Sequence, residues 1–198
     1  MSERKLPPGT WHQPGQTRVS PIPQNQRGVV AKLLLKFIRR KAGVKYDFNF
    51  PVLLLRLGGM FLPYLMFVSQ LLMKGRIERA DKERIILRTV WRLGCIYEWA
   101  HHAHTASELG VSEDEIRSLA DEMSALWSER TRVLVQATDD LITSHKVGDE
   151  AWKRLRHELS EDQAVEFCVL VGHYVMASSM CNSFNVALEP GYLSDRPE

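Results

Sequence analysis

From Lys82 onward, apolar residues recur at three- and four-residue spacing between helix caps and glycines, a pattern that packed helices satisfy and sheets do not. Ile85, Ile86, Thr89, Val90 and Leu93 share one face of a helix predicted from Lys82 to about Gly94, with Asp81 as its cap and Glu83 in its first turn. Gly94 interrupts the pattern, and a second helix is predicted from Cys95 to Leu109, closing at Gly110. The run Ser112 to Glu115 has the form of a capping box that opens a short helix. Helices are then predicted over Ser128 to His145, Asp149 to Glu158 and, after a Ser160 cap, Glu161 to Leu188. No alternating strand pattern competes, so the expected fold class is all-α.

The upstream part has a different character. A chain of 198 residues is long enough for one domain with an extension, divided here into 1–45 and 46–198. Pro7, Pro8, Pro14, Pro21 and Pro23 stud residues 1–26, whose small apolar content predicts an arm that is ordered only where it lies on something. Val29 to Lys41 reads as a basic amphipathic helix, with Val30, Leu33, Leu34, Phe37 and Ile38 as the stripe expected to pack on the core or on a neighbouring subunit. Pro51 to Met73 has the length of a bilayer span, but Arg56, Pro63 and Gln70 oppose that reading. The expectation is two buried helices, Val52 to Met60 and Pro63 to Met73, and no membrane span.

Residues 1–60 carry a formal charge of +9 and residues 61–198 one of −7. Such a split fits a basic arm folded over an acidic body better than a nucleic-acid-binding arm, so no nucleic-acid partner is expected. Cys95, Cys168 and Cys181 lie far apart and form no two-residue redox or zinc spacing. Together with an N-terminus that lacks secretory-signal features, this leads to an expected cytoplasmic location.

The densest run of reactive groups is Cys95 to His104. On a helix, Cys95, Glu98 and His102 fall on one line, with Trp99 and Ala106 extending it. A carboxylate four residues before an imidazole can orient it and raise its basicity, and an antiparallel helix pair would return Glu83 to the same place. Two carboxylates beside one imidazole are expected to push one carboxyl pKa up. A helix-stabilising Glu98–His102 pair without chemistry remains open, as does an inert, packed Cys95. His101 and His104 fall off the line and are read as background. Glu98 and His101 also have the Glu-x-x-His spacing of a metal ligand pair, but no second pair exists, so no metal is expected.

The segment from Asp81 to the C-terminus resembles the carboxymuconolactone decarboxylase family, whose superfamily includes the alkylhydroperoxidase D proteins. The resemblance rests on Glu83-Arg84 with Ile86-Leu87-Arg88, Tyr97-Glu98-Trp99 with His102, Leu109-Gly110-Val111, and Val171-Gly172-His173-Tyr174; Leu53 to Gly75 is similar to the family's leading helices. It implies an alkylhydroperoxidase D-like helical bundle assembled as a trimer or a multiple of three. The peroxidase branch places a second cysteine where this chain has Glu98 and a histidine where it has Tyr97, so the resemblance implies no local resolving thiol unless Cys168 or Cys181 folds against Cys95. The decarboxylase branch implies cofactor-free proton transfer, with His102 as acid or base, Glu98 as its orienter, Glu83 as second carboxyl and Tyr97 as a hydrogen-bond donor.

The reading that combines these signals is a cofactor-free acid/base enzyme, decarboxylase-like, acting on a small carboxylated or lactone-type compound. Its site residues are Glu83, Cys95, Tyr97, Glu98 and His102. The alternatives are peroxide reduction at Cys95 and a non-catalytic oligomeric protein that uses the basic helix as its working surface.

Overall fold

A computed structural model describes residues 6–13, 15–41 and 43–189, so that Pro14 of the arm lies outside the described residues. Every regular element among them is helical: α1 (Val29–Lys41), α2 (Asn49–Leu54), α3 (Phe61–Met73), α4 (Arg79–Arg92), α5 (Ile96–Glu108), α6 (Glu113–Ser118), α7 (Glu129–Ser144), α8 (Asp149–Glu158) and α9 (Glu161–Phe184), with short 3-10 turns at Gln24–Gln26 and Leu55–Met60. α4 is the central strut, packed against α5, α7 and α9. Its inner face buries Ile85, Ile86, Leu87 and Val90 against Leu134 of α7 and Phe167, Leu170 and Val171 of α9.

α4 also buries charges, and each is met by a different neighbour. Arg88 is fully buried, forks onto both carboxylate oxygens of Asp139 in α7 at 2.7 and 2.6 Å, and lies over the rings of Trp91 and Trp127. Lys82 pairs with Glu166 of α9 at 2.8 Å and donates to the Leu71 carbonyl of α3 at 2.6 Å. Asp81 binds Arg84 and Arg130 through its two oxygens, at 2.9 and 2.8 Å. Asp81 was expected to cap the helix; α4 instead begins three residues earlier, at Arg79 after Glu78, and those arginine partners hold the Asp81 side chain within the first turn.

Gly94 does separate α4 from α5. Its φ of +61° lies in the left-handed region, and a Cβ there would run into the Thr10 carbonyl oxygen. The arm crosses this junction: the His12 amide donates to the Gly94 carbonyl at 2.8 Å, Trp91 Nε1 donates to the Pro8 carbonyl at 2.9 Å, and Trp11 meets Trp99 edge to face at 5.4 Å. The arm thus lies on the body of its own chain, held by backbone hydrogen bonds and aromatic contacts.

The apolar N-terminal helices bury less against the core of their own chain than expected, so that of the two expected uses of the α1 stripe only packing on a neighbouring subunit stays open. In α1, Val30, Leu33 and Phe37 of the predicted stripe are 60% or more exposed, whereas Leu35 is buried. Arg39, one turn beyond Leu35 on the same face, joins Arg27 in binding Asp47, at 3.1 and 2.6 Å. Leu35 and the Arg39 contact lie on one side of α1, and the exposed stripe on the other. The second predicted buried helix, α3, buries only Phe61 and Leu71, while Leu62, Met66, Phe67 and Met73 face out. Asn49–Met73 and Glu161–Phe184 are both long and apolar enough to cross a membrane, yet Gly58, at φ 59° and ψ −124°, kinks the first between α2 and α3, and Arg56 within it donates to the Ser20 carbonyl at 2.8 Å.

Asp139→Ala leaves the Arg88 guanidinium buried with its main counter-charge gone. It should lower the unfolding free energy by roughly 3–5 kcal/mol, read by urea titration of the helical circular dichroism signal. A loss below about 1 kcal/mol would show that the Arg88 fork does not anchor α4 to α7.

Candidate active site

Cys95 caps α5 with backbone φ −88° and ψ 96°, and the helix it starts carries Tyr97, Glu98, His101 and His102. These four side chains, with His173 and Tyr174 of α9, Tyr64 of α3 and Phe50 of α2, line a cavity of about 320 Å³. The aliphatic wall is supplied by Leu54, Leu65, Val68 and Leu72. A space of that size matches a small, single-ring molecule.

Glu83 returns to this site across the α4–α5 pair as the sequence predicts. His102 Nδ1 hydrogen-bonds its Oε2 at 2.7 Å, while His102 Nε2 stands 3.5 Å from Glu98 Oε2. The tight partner is therefore Glu83, not Glu98. The carboxylate four residues earlier on the same helix was expected to orient the imidazole; helix geometry leaves it a longer reach, and the neighbouring helix closes the shorter contact. Glu98 lines the cavity, and Glu83 supports the ring from behind.

Burial alone would strip the proton from His102. The two carboxylates outweigh it, with Glu83 the stronger, and raise the imidazole from 6.5 to about 10. The same pairing corrects the expectation that one carboxyl pKa rises: burial does push Glu98 up, but the His102 hydrogen bond and the charges of His102 and His101 bring it below the usual carboxylate range. At neutral pH the cavity wall is an imidazolium between carboxylates. His173 behaves in the opposite sense. Burial, reinforced by the His102 charge and only partly opposed by Glu98, lowers it to about 4, so it is neutral.

Tyr97 lines the cavity, but its hydroxyl is already engaged, donating to Glu189 Oε1 at 2.8 Å and accepting from the Phe50 amide at 3.2 Å. His101, set aside as background by helical phase, also lines the cavity and hydrogen-bonds Glu189 Oε2 at 2.8 Å. Glu189 itself was missed. It lies beyond α9, 92 residues from Tyr97, and its only signal in the sequence is that it is the one acidic residue between Phe184 and Leu193. His104 faces away and pairs with Glu108 of the same helix.

Cys95 lies behind the cavity, fully buried. Cys181 of α9 interacts electrostatically with it, and Cys181 Sγ donates to Glu98 Oε1 at 3.5 Å. Burial, the Cys95 contact and Glu98 all raise the Cys181 thiol well above its ordinary value. Cys168 remains apart from this cluster. Among the described residues no three His, Cys, Asp or Glu side chains converge in a way that could hold a metal ion.

Residues 61–140 match the model of the carboxymuconolactone decarboxylase family. The fold matches a crystal structure from Ralstonia eutropha JMP134, described as an alkylhydroperoxidase AhpD core and an uncharacterized peroxidase-related protein, at a TM-score of 0.77 and 16% identity over 88% of this chain and 94% of that one. A peroxidase-related protein from Silicibacter sp. TM1040 aligns at 0.79 and 14% identity, over 91% and 96% of the two chains. The debrominase Bmp8 aligns at 0.73 and 15% identity, over 88% and 93%. Curated proteins provide no match. At these identities the structural likeness establishes an AhpD-like all-helical fold.

The clamp on His102 makes a stability prediction. A histidine raised in the folded state contributes stability that is complete below its unfolded pKa of 6.5 and lost as pH rises through about 10. Glu83→Gln weakens the clamp, so the difference in urea midpoint between the parent and Glu83→Gln should be widest near pH 6 and shrink toward pH 10. A difference independent of pH over that range would mean that His102 is not held protonated.

Proposed function

We propose that the chain, whose residues 61–140 match the model of the carboxymuconolactone decarboxylase family, is a member of that family and a cofactor-free acid/base enzyme acting on a small carboxylated or lactone-type compound. The family and the structural neighbours include enzymes of several kinds, decarboxylase, peroxidase-related and debrominase, and the geometry around His102 supports proton transfer. One contact carries the choice of proton transfer: His102 is held between Glu83 at 2.7 Å and Glu98 at 3.5 Å on the wall of the cavity. The gap toward Glu98 is too long for a good hydrogen bond, which leaves Nε2–H available to a substrate oxygen.

In this reading His102 is the acid. A carboxylated lactone loses carbon dioxide by breaking the bond to the carboxylate, with the electron pair retained as a dienolate. The imidazolium Nε2–H stabilises the dienolate oxygen and then supplies the proton that the carbon takes up. Glu83 keeps the ring charged and oriented, and Glu98 is the carboxylate nearest the departing or arriving proton. Tyr97 acts at one remove, by fixing Glu189 and the start of α2.

The exposed α3 face, with Leu62, Met66, Phe67 and Met73, supports self-association, and the family resemblance implies a trimer or a multiple of three, which light scattering of the intact chain would read directly. A cytoplasmic location remains part of the same proposal, and fractionation of cells producing the chain would test it.

Glu98→Gln and His102→Ala should each lower turnover by at least ~100-fold while leaving the circular dichroism spectrum unchanged. Activity within a few-fold of the parent in both variants would refute the assignment.

A second reading is favoured by one observation, the Cys181 thiol lying against Cys95 beside Glu98. A hydroperoxide would oxidise one thiol to a sulfenic acid and release the alcohol; the other thiol would then displace water to form the disulfide. Thiol counting after hydroperoxide treatment separates the two readings. Loss of two thiols, abolished by Cys181→Ser, supports peroxide reduction, and three intact thiols remove it.

A further inference from the structure

The cavity holds hydrogen-bonding groups that the protein itself leaves unused. Tyr97 and His101 are engaged by Glu189, and His102 Nδ1 by Glu83. Tyr64, His173 and Tyr174 also line the cavity, and none of them makes a hydrogen bond among the described residues. In His173 the contrast is sharpest. The residue is only 6% exposed, and its Nδ1 is sealed from water without a partner, so Nε2 is the ring nitrogen left to the cavity.

A buried imidazole that gains nothing from the protein costs stability, because desolvation is not repaid by a hydrogen bond. Aromatic contacts hold the ring in place regardless. Tyr64, Phe67 and Tyr174 surround it, at centroid distances of 5.7, 5.6 and 5.0 Å. Tyr174 stands edge-on to His102 as well, at 4.8 Å, and so lies against both imidazoles.

We propose that His173 is a substrate-binding residue whose Nε2 accepts a hydrogen bond from a ring hydroxyl or ring N–H, so that the cavity selects planar, single-ring compounds carrying such a donor. The inference deepens the reading of this cavity as the substrate site and rests on it. Size and chemistry agree: about 320 Å³ accommodates one ring, Phe50, Leu54, Leu65, Val68 and Leu72 supply flat and aliphatic walls, and the free polar groups all converge on the same space. The charge states divide the work. The His102 imidazolium can only donate, while the neutral His173 has a lone pair to offer a donor. A ligand with an acceptor at one point and a donor at another satisfies both rings at once. An aliphatic acid without a ring donor satisfies only His102.

Phenol and toluene are the probes, since they share shape and differ in the hydroxyl. Binding to the intact chain is followed by isothermal titration and by nitrogen-15 NMR of the histidine rings. The parent should bind phenol at least ~10-fold more tightly than toluene, with a shift of the His173 ring nitrogen on phenol addition alone. His173→Phe should erase the preference while retaining toluene binding, and His173→Gln, which keeps an acceptor, should restore part of it. A preference unchanged in His173→Phe, or phenol and toluene binding alike to the parent, overturns the proposal. Binding does not require turnover. A phenol preference that survives in Glu98→Gln while activity is absent from parent and variant alike would remove the acid/base reading and leave the His173 assignment standing.

Discussion

Helix α4 carries Asp81, Lys82, Glu83 and Arg88 into the interior, and the arrangement of the remaining helices is what makes that tolerable. A buried charge without a partner costs several kcal/mol, more than most single apolar contacts return. Each of the four finds its partner on another segment: Arg130 in α7, Glu166 in α9, His102 in α5 and Asp139 in α7. Shifting any one of these helices by a turn would strand a charge. The ionic contacts contribute little net stability in themselves, and they make alternative packings of the same apolar faces costly.

The site is one of these four contacts, opened to a cavity. Glu83 belongs to the structural set, yet its partner His102 stands on the cavity wall, so the pairing that fixes α4 against α5 also sets the charge of the imidazole. Two histidines share the cavity in opposite states because their surroundings differ in one respect. His102 has a carboxylate on each side, and His173 has aromatic rings and, among the described residues, no hydrogen bond. Pushing the pKa values of like groups apart within one cavity is how a fold obtains a donor and an acceptor at the same pH.

The thiols take a place one layer deeper. The position that would supply a local resolving cysteine is Glu98, and the second thiol near Cys95 comes instead from α9. Both are buried, and the arm crosses the adjacent Gly94. His102 and His173, by contrast, line the cavity.

The sequence by itself determined the helices and the return of Glu83 to the neighbourhood of Glu98 and His102. Helix period, Ser112, Ser128 and Ser160 caps, and the left-handed Gly94 and Gly110 are local properties, set by backbone sterics and by groups within a few residues. Tertiary structure decided everything that depends on which surfaces meet. It turned the α1 stripe outward, left α3 half bare, put Glu83 rather than Glu98 closest to the imidazole, and brought Cys181, His173 and Glu189 to α5 from 70 or more residues away. Helical phase could place His101 off the line of Glu98 and His102, but it could not show that Glu189 would be waiting there. Electrostatic partners at long separation leave no periodic trace in a chain, because their geometry exists only once the helices are packed.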